Sequence, residues 1–515
     1  MTMVEKGKSK LYYLEPIIKR YPSIKKPVGH VHFRKKMLWT VGILLFYFVL
    51  TNVMIYGLGE TMDMFSEFRA IMAGASGSLM HLGIGPIVTA SIILQLFVGA
   101  KIIKLDMSDP EDKAIYQGTQ KILVVVMIFV EAIPQVYGYL TPSSAFSGAL
   151  GSGWAKFFII IQLAIGSYIV FLMDETVSKW GIGSGISMFI CAGVAQAIFT
   201  GTLNWMPTTA GQALSITNPP SGVIPKTIYF IGNMSIGEFS GGGFEKLFLH
   251  PPNAVLYLIG TVLIFLVVAY LESTSIEIPL AHGRVRGARG RYPIRLIYAS
   301  NIPVILMSAL LANVNMFSLL LWSHPTMSKI PLIGGKWWIG AYHVGETKPF
   351  AGGAWYVSRV DGVHQWFLPM LNWDGYKNYV PDHNYWQVIV HVLVYLGIMI
   401  FGSILFAKFW IETTNMGPED VAKQIQNSGM QIPGFRRDPR VLKKVLKRYI
   451  PMVTVISGAF VGGLAAIADM IGTVGNTSGT GVLLAVGIII RLYEEIGKEQ
   501  MMEMHPVLRG FFGNE

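Results

Sequence analysis

Glu131 stands inside an apolar run, 120–140 (QKILVVVMIFVEAIPQVYGYL). An ionisable group in such a run is costly to bury in lipid, so it is a functional candidate by default. Two stretches concentrate guanidinium groups: AHGRVRGARGRYPIR (281–295) and GFRRDPRVLKKVLKR (434–448). The planar fork of arginine matches phosphate geometry. His30 and His32 flank Val31 with no acidic or Cys partner nearby, which argues against a metal site. The lone Cys191 excludes an intramolecular disulfide and any all-Cys metal site. No Walker A motif and no HExxH pattern occurs. The expectation is a protein with no catalytic residues, no cofactor and no metal, and not an enzyme.

The elements around these groups are those of a membrane protein. Only 14% of the 515 residues are charged, against about 25% in ordinary soluble domains. Mean hydropathy is +0.48. A cytosolic enzyme would need more charge to cover its surface, and a disordered scaffold would need far less apolar content. Apolar runs long enough to cross a bilayer lie at 37–58, 120–140, 155–173, 254–272, 298–320, 388–411 and 450–471. Three shorter or Gly/Pro-broken runs lie at 83–100, 184–200 and 479–494. Ten spans are expected. The first run is long enough to remain as a helix, and no signal peptide is visible. With the N-terminus inside, 32 of the 41 Lys and Arg fall on inside segments, which sets the orientation. It also places the C-terminus inside.

Spans one to five occupy 37–200, and spans six to ten occupy 254–494. Five is odd, so halves that share a fold must be inverted, with a pathway between them. Residues 1–36 form a basic inside terminus and 495–515 an inside tail. Inside loops lie at 273–297 and 412–449, and long outside segments at 201–253 and 321–386. The stretch 62–80 (MDMFSEFRAIMAGASGSLM) carries Asp63, Glu67 and Arg69 and cannot cross lipid. It is either a re-entrant segment in a protein-lined cavity or an outside surface helix.

Four stretches carry a resemblance. GIGPIVTASIILQLFVGAKII (83–103) and DETVSKWGIGSGISMFI (174–190) resemble the signature stretches of SecY, the channel subunit of the Sec protein translocon. ASNIPVILMSALLANV (299–314) and SGTGVLL (478–484) are similar to that family's seventh and tenth helices. The similarity covers nearly the whole chain. GPIVTA, PIRLIYASNIPVIL and IETTN (411–415) give it an archaeal or eukaryotic style. The resemblance implies an all-α membrane protein with ten transmembrane helices in two inverted five-helix halves around a central pore. The pore would be plugged by a re-entrant helix at about 62–80.

Carried over by position, the pore ring would be Ile84, Val88, Ile186, Ile190, Ile305 and Leu484. Ile84/Val88 and Ile186/Ile190 are i,i+4 pairs, each on one helix face. Stiff β-branched side chains would form a gasket that excludes ions by dewetting. A lateral gate between the second and third helices and the seventh and eighth would contain Thr89, Gln95, Glu131 and Asn301. Arg284, Arg286, Arg289, Arg291, Arg436, Arg437 and Arg440 would dock a ribosome or another inside partner. Two small single-helix subunits of SecE-like (gamma) and beta type, nascent secretory and membrane proteins and the lipid bilayer complete the implied partners. The implied location is an archaeal plasma membrane, or alternatively the endoplasmic reticulum.

Two other readings remain open from residues alone. A secondary transporter shares inverted halves and broken helices, with Glu131 as its main support. A structural scaffold is the other. The outside segment 321–386 holds seven of the twelve Trp residues, which suits a cap or a position in the headgroup zone. Asn233-Met234-Ser235 fits a glycosylation acceptor pattern.

Overall fold

The computed structural model describes residues 9–504, apart from 30, 60–71, 101, 106, 108, 210–211, 252, 283–288, 296–300, 325–326, 344–347, 415, 428–429 and 432–438. Helices dominate, and each expected apolar run coincides with a long helix. These are numbered α1 (Phe33–Thr51), α2 (Gly85–Gly99), α3 (Pro110–Gly138), α4 (Ser152–Trp180), α5 (Gly185–Leu203), α6 (Val255–Ser273), α7 (Ile302–Ser323), α8 (Tyr385–Thr413), α9 (Pro439–Ile471) and α10 (Gly479–Met504). Shorter helices are named by their residues. Among the described residues, seven helices, α3 to α9, are long and apolar enough to cross a membrane. The other three differ for visible reasons: α2 has only 15 residues, α1 opens on the charged FRKK, and α10 is charged from Arg491 onward, with Glu494 and Glu495 close behind.

Local sequence explains several boundaries. Asp109 caps α3, its side chain accepting from the Glu111 N–H, with Pro110 at the first helical position. Pro86 and Pro303 likewise open α2 and α7. Large side chains on α1 (Leu38, Leu45, Val49) and α6 (Val262, Leu263, Leu266) are exposed. Apolar surface of that extent suits lipid rather than water.

The two sets of five helices pack by one scheme. In the first, the second helix meets the third, the third the fourth, and the fourth the fifth, while the first meets the fourth and fifth. The second set repeats all five pairings: α7 on α8, α8 on α9, α9 on α10, and α6 on both α9 and α10. Between the sets, α5 packs on α10 at one side, and α2 meets α7 and α8 while α3 meets α7 at the other.

Short strands appear where only loops are legible in the sequence. β1 (Ser275–His282) and β2 (Arg289–Arg295) form an antiparallel hairpin. β3 (Ala341–Tyr342) pairs with β4 (Pro349–Ala351) on the opposite side. β5 (Met430–Gln431) joins β1 through Ala281↔Gln431 and His282↔Met430. One three-stranded sheet, ordered β2-β1-β5, therefore ties together the two basic loops.

Candidate functional site

The chain breaks before α2 at Gly83, whose φ is +54°. A Cβ there would lie 2.1 Å from the Met72 carbonyl oxygen, so only glycine fits. The break delivers Ile84 as the residue before α2 and Val88 one turn later. Ile84, Ile190 and Leu484 are fully buried, and Val88 and Ile305 nearly so. Ile186 is half-buried against the same apolar cluster. All six expected ring residues thus belong to one apolar core drawn from α2, α5, α7 and α10. Val88, Ile186 and Ile305 also line a cavity of about 460 Å³. The rest of its wall mixes polar side chains such as Ser91, Gln95, Gln117 and Gln120 with Met107, Ile302, Leu306 and Trp410. A cavity of mixed polarity therefore borders the aliphatic residues.

The segment 72–80 is built into the helices around it. Ile84 N–H donates to the Met72 carbonyl (2.8 Å), and Leu79 N–H to that of Val53 (2.9 Å). Tyr47 Oη donates to the Ala73 carbonyl at 2.9 Å. Met80 is fully buried, and a Cβ on Gly166 of α4 would lie 1.9 Å from the Leu79 carbonyl oxygen. An outside surface helix does not describe 72–80. The remaining part of the expected plug, 62–71, lies outside the described residues. His81 ties the segment to α3: its Nδ1 accepts from the Gly77 N–H at 3.0 Å. Its Nε2 lies 3.3 Å from Tyr139 Oη, which donates to Gln135 Oε1 at 2.8 Å. This geometry suits an imidazole protonated on Nε2.

Three of the polar groups expected at the gate fall beside the α2/α3–α7/α8 seam. Thr89 Oγ1 donates to Glu131 Oε1 at 2.8 Å and receives the Asn313 Nδ2 donor at 3.2 Å. The relay joins α7, α2 and α3 across the seam. Gln95 is buried and lines the same cavity as Val88. At one end of the seam, α2 and α8 approach so closely that a Cβ on Gly99 would lie 2.6 Å from the Phe409 ring.

Asn301 is a correction. It precedes α7 and donates from Nδ2 to Glu272 Oε1 of α6 at 3.2 Å. A Cβ on Gly487 of α10 would meet its amide at 1.9 Å. It therefore sits at the α6–α7–α10 junction, away from the seam. The face of α7 that meets α3 carries Asn313 and Met316, three residues apart as one helix face requires. Gln135 Nε2 of α3 points to Met316 Sδ at 3.7 Å. Asn313 is the seam amide that sequence reading missed. Its only signal was its place in NVNMF, an amide in an apolar helix.

In the second half, Asp469 is buried at the end of α9. It accepts from Tyr395 Oη at 2.6 Å, from Thr480 Oγ1 at 2.8 Å and from Thr480 N–H at 3.2 Å. Arg359, itself buried, lies 4.0 Å away and 3.1 Å from Asp361. Thr480 is one turn before Leu484, so this cluster seats the helix end that carries an expected ring residue.

On the basic side, Arg289 and Arg291 stand two apart on β2, and Arg440 lies in the first turn of α9. Arg284, Arg286, Arg436 and Arg437 lie outside the described residues. Helix Pro418–Asn427 packs on α9 through Val421, Ala422, Ile425, Leu446 and Ile450, with Glu419 paired to Lys443 at 2.7 Å. Among the described residues no group of three or more His, Cys, Asp or Glu could hold a metal.

Comparison with known proteins matches this arrangement. The SecY family model covers residues 78–493, and the model of the plug domain of Sec61p covers 45–77. That second match begins earlier than the expected 62–80. The protein translocase subunit SecY of Archaeoglobus fulgidus is 46% identical over 509 residues, covering 98% of each chain. That of Methanocaldococcus jannaschii is 39% identical, covering 96% of this chain and 98% of the relative. A solved protein conducting channel superposes with a TM-score of 0.75 at 37% identity, covering 96% of this chain and 98% of that one. Sec61 in a canine ribosome-channel complex from the endoplasmic reticulum gives a TM-score of 0.72 at 37% identity, with the same coverage. With matches of this length on both sequence and structure, the chain belongs to the SecY family.

Proposed function

We propose that the chain is the channel-forming subunit of a protein translocase, passing secretory polypeptides across the membrane and releasing transmembrane segments sideways into lipid. The observation that supports this reading is that the six aliphatic side chains expected at the waist share one apolar core, which borders both a cavity and the buried 72–80 segment. Such a waist offers a moving polypeptide no hydrogen bonds to hold it, and it resists ions by dewetting. The paired five-helix schemes support two inverted halves, 37–200 and 254–494, hinged at α5/α10. The seam of α2 and α3 against α7 and α8 supports the lateral exit, with Thr89, Glu131 and Asn313 as its polar closure.

The orientation follows the Lys/Arg bias, with both termini in the cytoplasm of an archaeal cell. The β2-β1-β5 sheet and the start of α9 then form the cytosolic face. There Arg289, Arg291 and Arg440, with Arg284, Arg286, Arg436 and Arg437, are the docking groups for a ribosome. The Sec61 structure in a ribosome-channel complex supports that partner. Two single-helix subunits are the remaining partners. The chain works without a catalytic residue or cofactor, and a translating ribosome supplies the driving force.

At Glu131, the main support of the transporter reading, there is little space. The cavity beside Glu131 and Asn313 is about 20 Å³, which holds about one water. Deleting 62–80 and recording currents in a planar bilayer tests the channel. A conducting, leaky channel is expected. A chain that stays silent after the deletion would return the scaffold reading.

A further inference from the structure

Helix α7 has 22 residues, about 33 Å at 1.5 Å per residue, close to the roughly 30 Å hydrocarbon core of a bilayer. Its last turn therefore lies at the edge of the apolar layer. The chain then leaves the helix and comes back to that level: Gly335 N–H donates to the Leu321 carbonyl at 2.9 Å. Between these points 327–335 forms a tight hairpin. Ser328 N–H donates to His324 O and Gly334 N–H to Ile330 O, both at 2.9 Å. A Cβ on Gly334 would lie 2.3 Å from the Met327 carbonyl oxygen, so the base of the hairpin is closed.

What this rigid hairpin displays is apolar. Leu332 at its tip is 82% exposed, and Ile333, Trp337 and Trp338 are exposed beside it. Lys329 and Lys336, also exposed, flank the patch. Leu332 has φ +76°, a conformation that glycine or asparagine adopts with less strain. In water the tip would expose a large side chain and hold it in a disfavoured backbone geometry. At a lipid interface the same side chain gains burial, the indoles find their preferred depth, and the lysine stems reach along apolar surface to headgroups. Helix α8 begins at Tyr385 on the same side, and its Trp386 is exposed too.

We propose that 327–338 is an interfacial anchor whose Leu332/Ile333 tip inserts into the outer edge of the lipid leaflet at the end of α7. The anchor fixes the outer end of a gate helix at headgroup depth, beside the seam it must open. The occupant is lipid, because the hairpin base is level with the last turn of a membrane helix.

The test uses the full chain in lipid nanodiscs, with Cys191→Ala and Ile333→Cys carrying an environment-sensitive fluorophore. The expected result is blue-shifted emission, strong quenching by a nitroxide on the upper acyl chain, and protection from aqueous iodide. Adding Leu332→Asn, which accepts a positive φ and keeps the hairpin, should shift emission to the red and reduce that protection. Iodide quenching as complete as for the free dye overturns the proposal. So does a probe that is shielded in native membranes but water-exposed in nanodiscs, since that outcome assigns the patch to a protein partner.

Discussion

Removing the hydrogen bond that Asn313 donates to Thr89 should loosen the contact of α7 with α2. Such bonds in membranes average about 0.6 kcal/mol, about threefold in the ratio of open to closed seams. We expect Asn313→Leu to lower the hydrophobicity a signal sequence needs, measured with graded signals in an insertion assay. Asn301→Leu should leave that threshold unchanged, because Asn301 faces Glu272 instead. Tyr47→Phe tests the seat of 72–80. It deletes one buried hydrogen bond to Ala73, worth about 1 kcal/mol. The displaced state should gain about fivefold, read as reduced disulfide trapping between cysteines on 72–80 and α1. The six ring positions came from the family resemblance; the glycine and proline before α2 and the i,i+4 spacing agree with them without singling them out. The seam amide was not legible, because which α7 face meets α3 is decided by packing between distant helices.

At the scale of elements, the helices follow from apolar runs and caps, and all ten runs are helical. The β2-β1-β5 sheet does not follow. β1 alternates Ile276, Ile278 and Leu280, but its partner β2 carries arginine and glycine instead, and β5 reaches β1 from about 150 residues away. Sequence also gave no sign that Lys226, in helix Val223–Asn233 of the outside segment, would be buried. Burial pushes its ammonium down to about 8 from 10.5. The unfolded segment thus binds more protons between these values, so folding gains stability as pH rises from about 8 toward 10.5. Proteolysis of 223–233 should slow across that window. Lys226→Met should protect the segment at neutral pH and flatten the response.

For the whole molecule, the account joins a hinge at α5/α10, a seam at the opposite side and a basic face. The sheet joins β2, which carries Arg289 and Arg291, with β5 of the second basic loop. Phosphate contacts release counterions, so affinity built on them falls with salt. Arg289→Glu with Arg291→Glu should shift the loss of ribosome co-sedimentation to lower salt, while the chain still assembles in the membrane. An unchanged salt curve would remove docking from this face.

The central claim is that a polypeptide threads the ring. Single cysteines at Ile84, Ile190 and Ile305, each in a Cys191→Ala chain, can be crosslinked to a stalled nascent secretory chain. All three positions should crosslink to the same short stretch of substrate, and a lipid-facing control at Leu266 should not. Crosslinks absent from the three ring positions, with the substrate still crossing the membrane, would contradict the account.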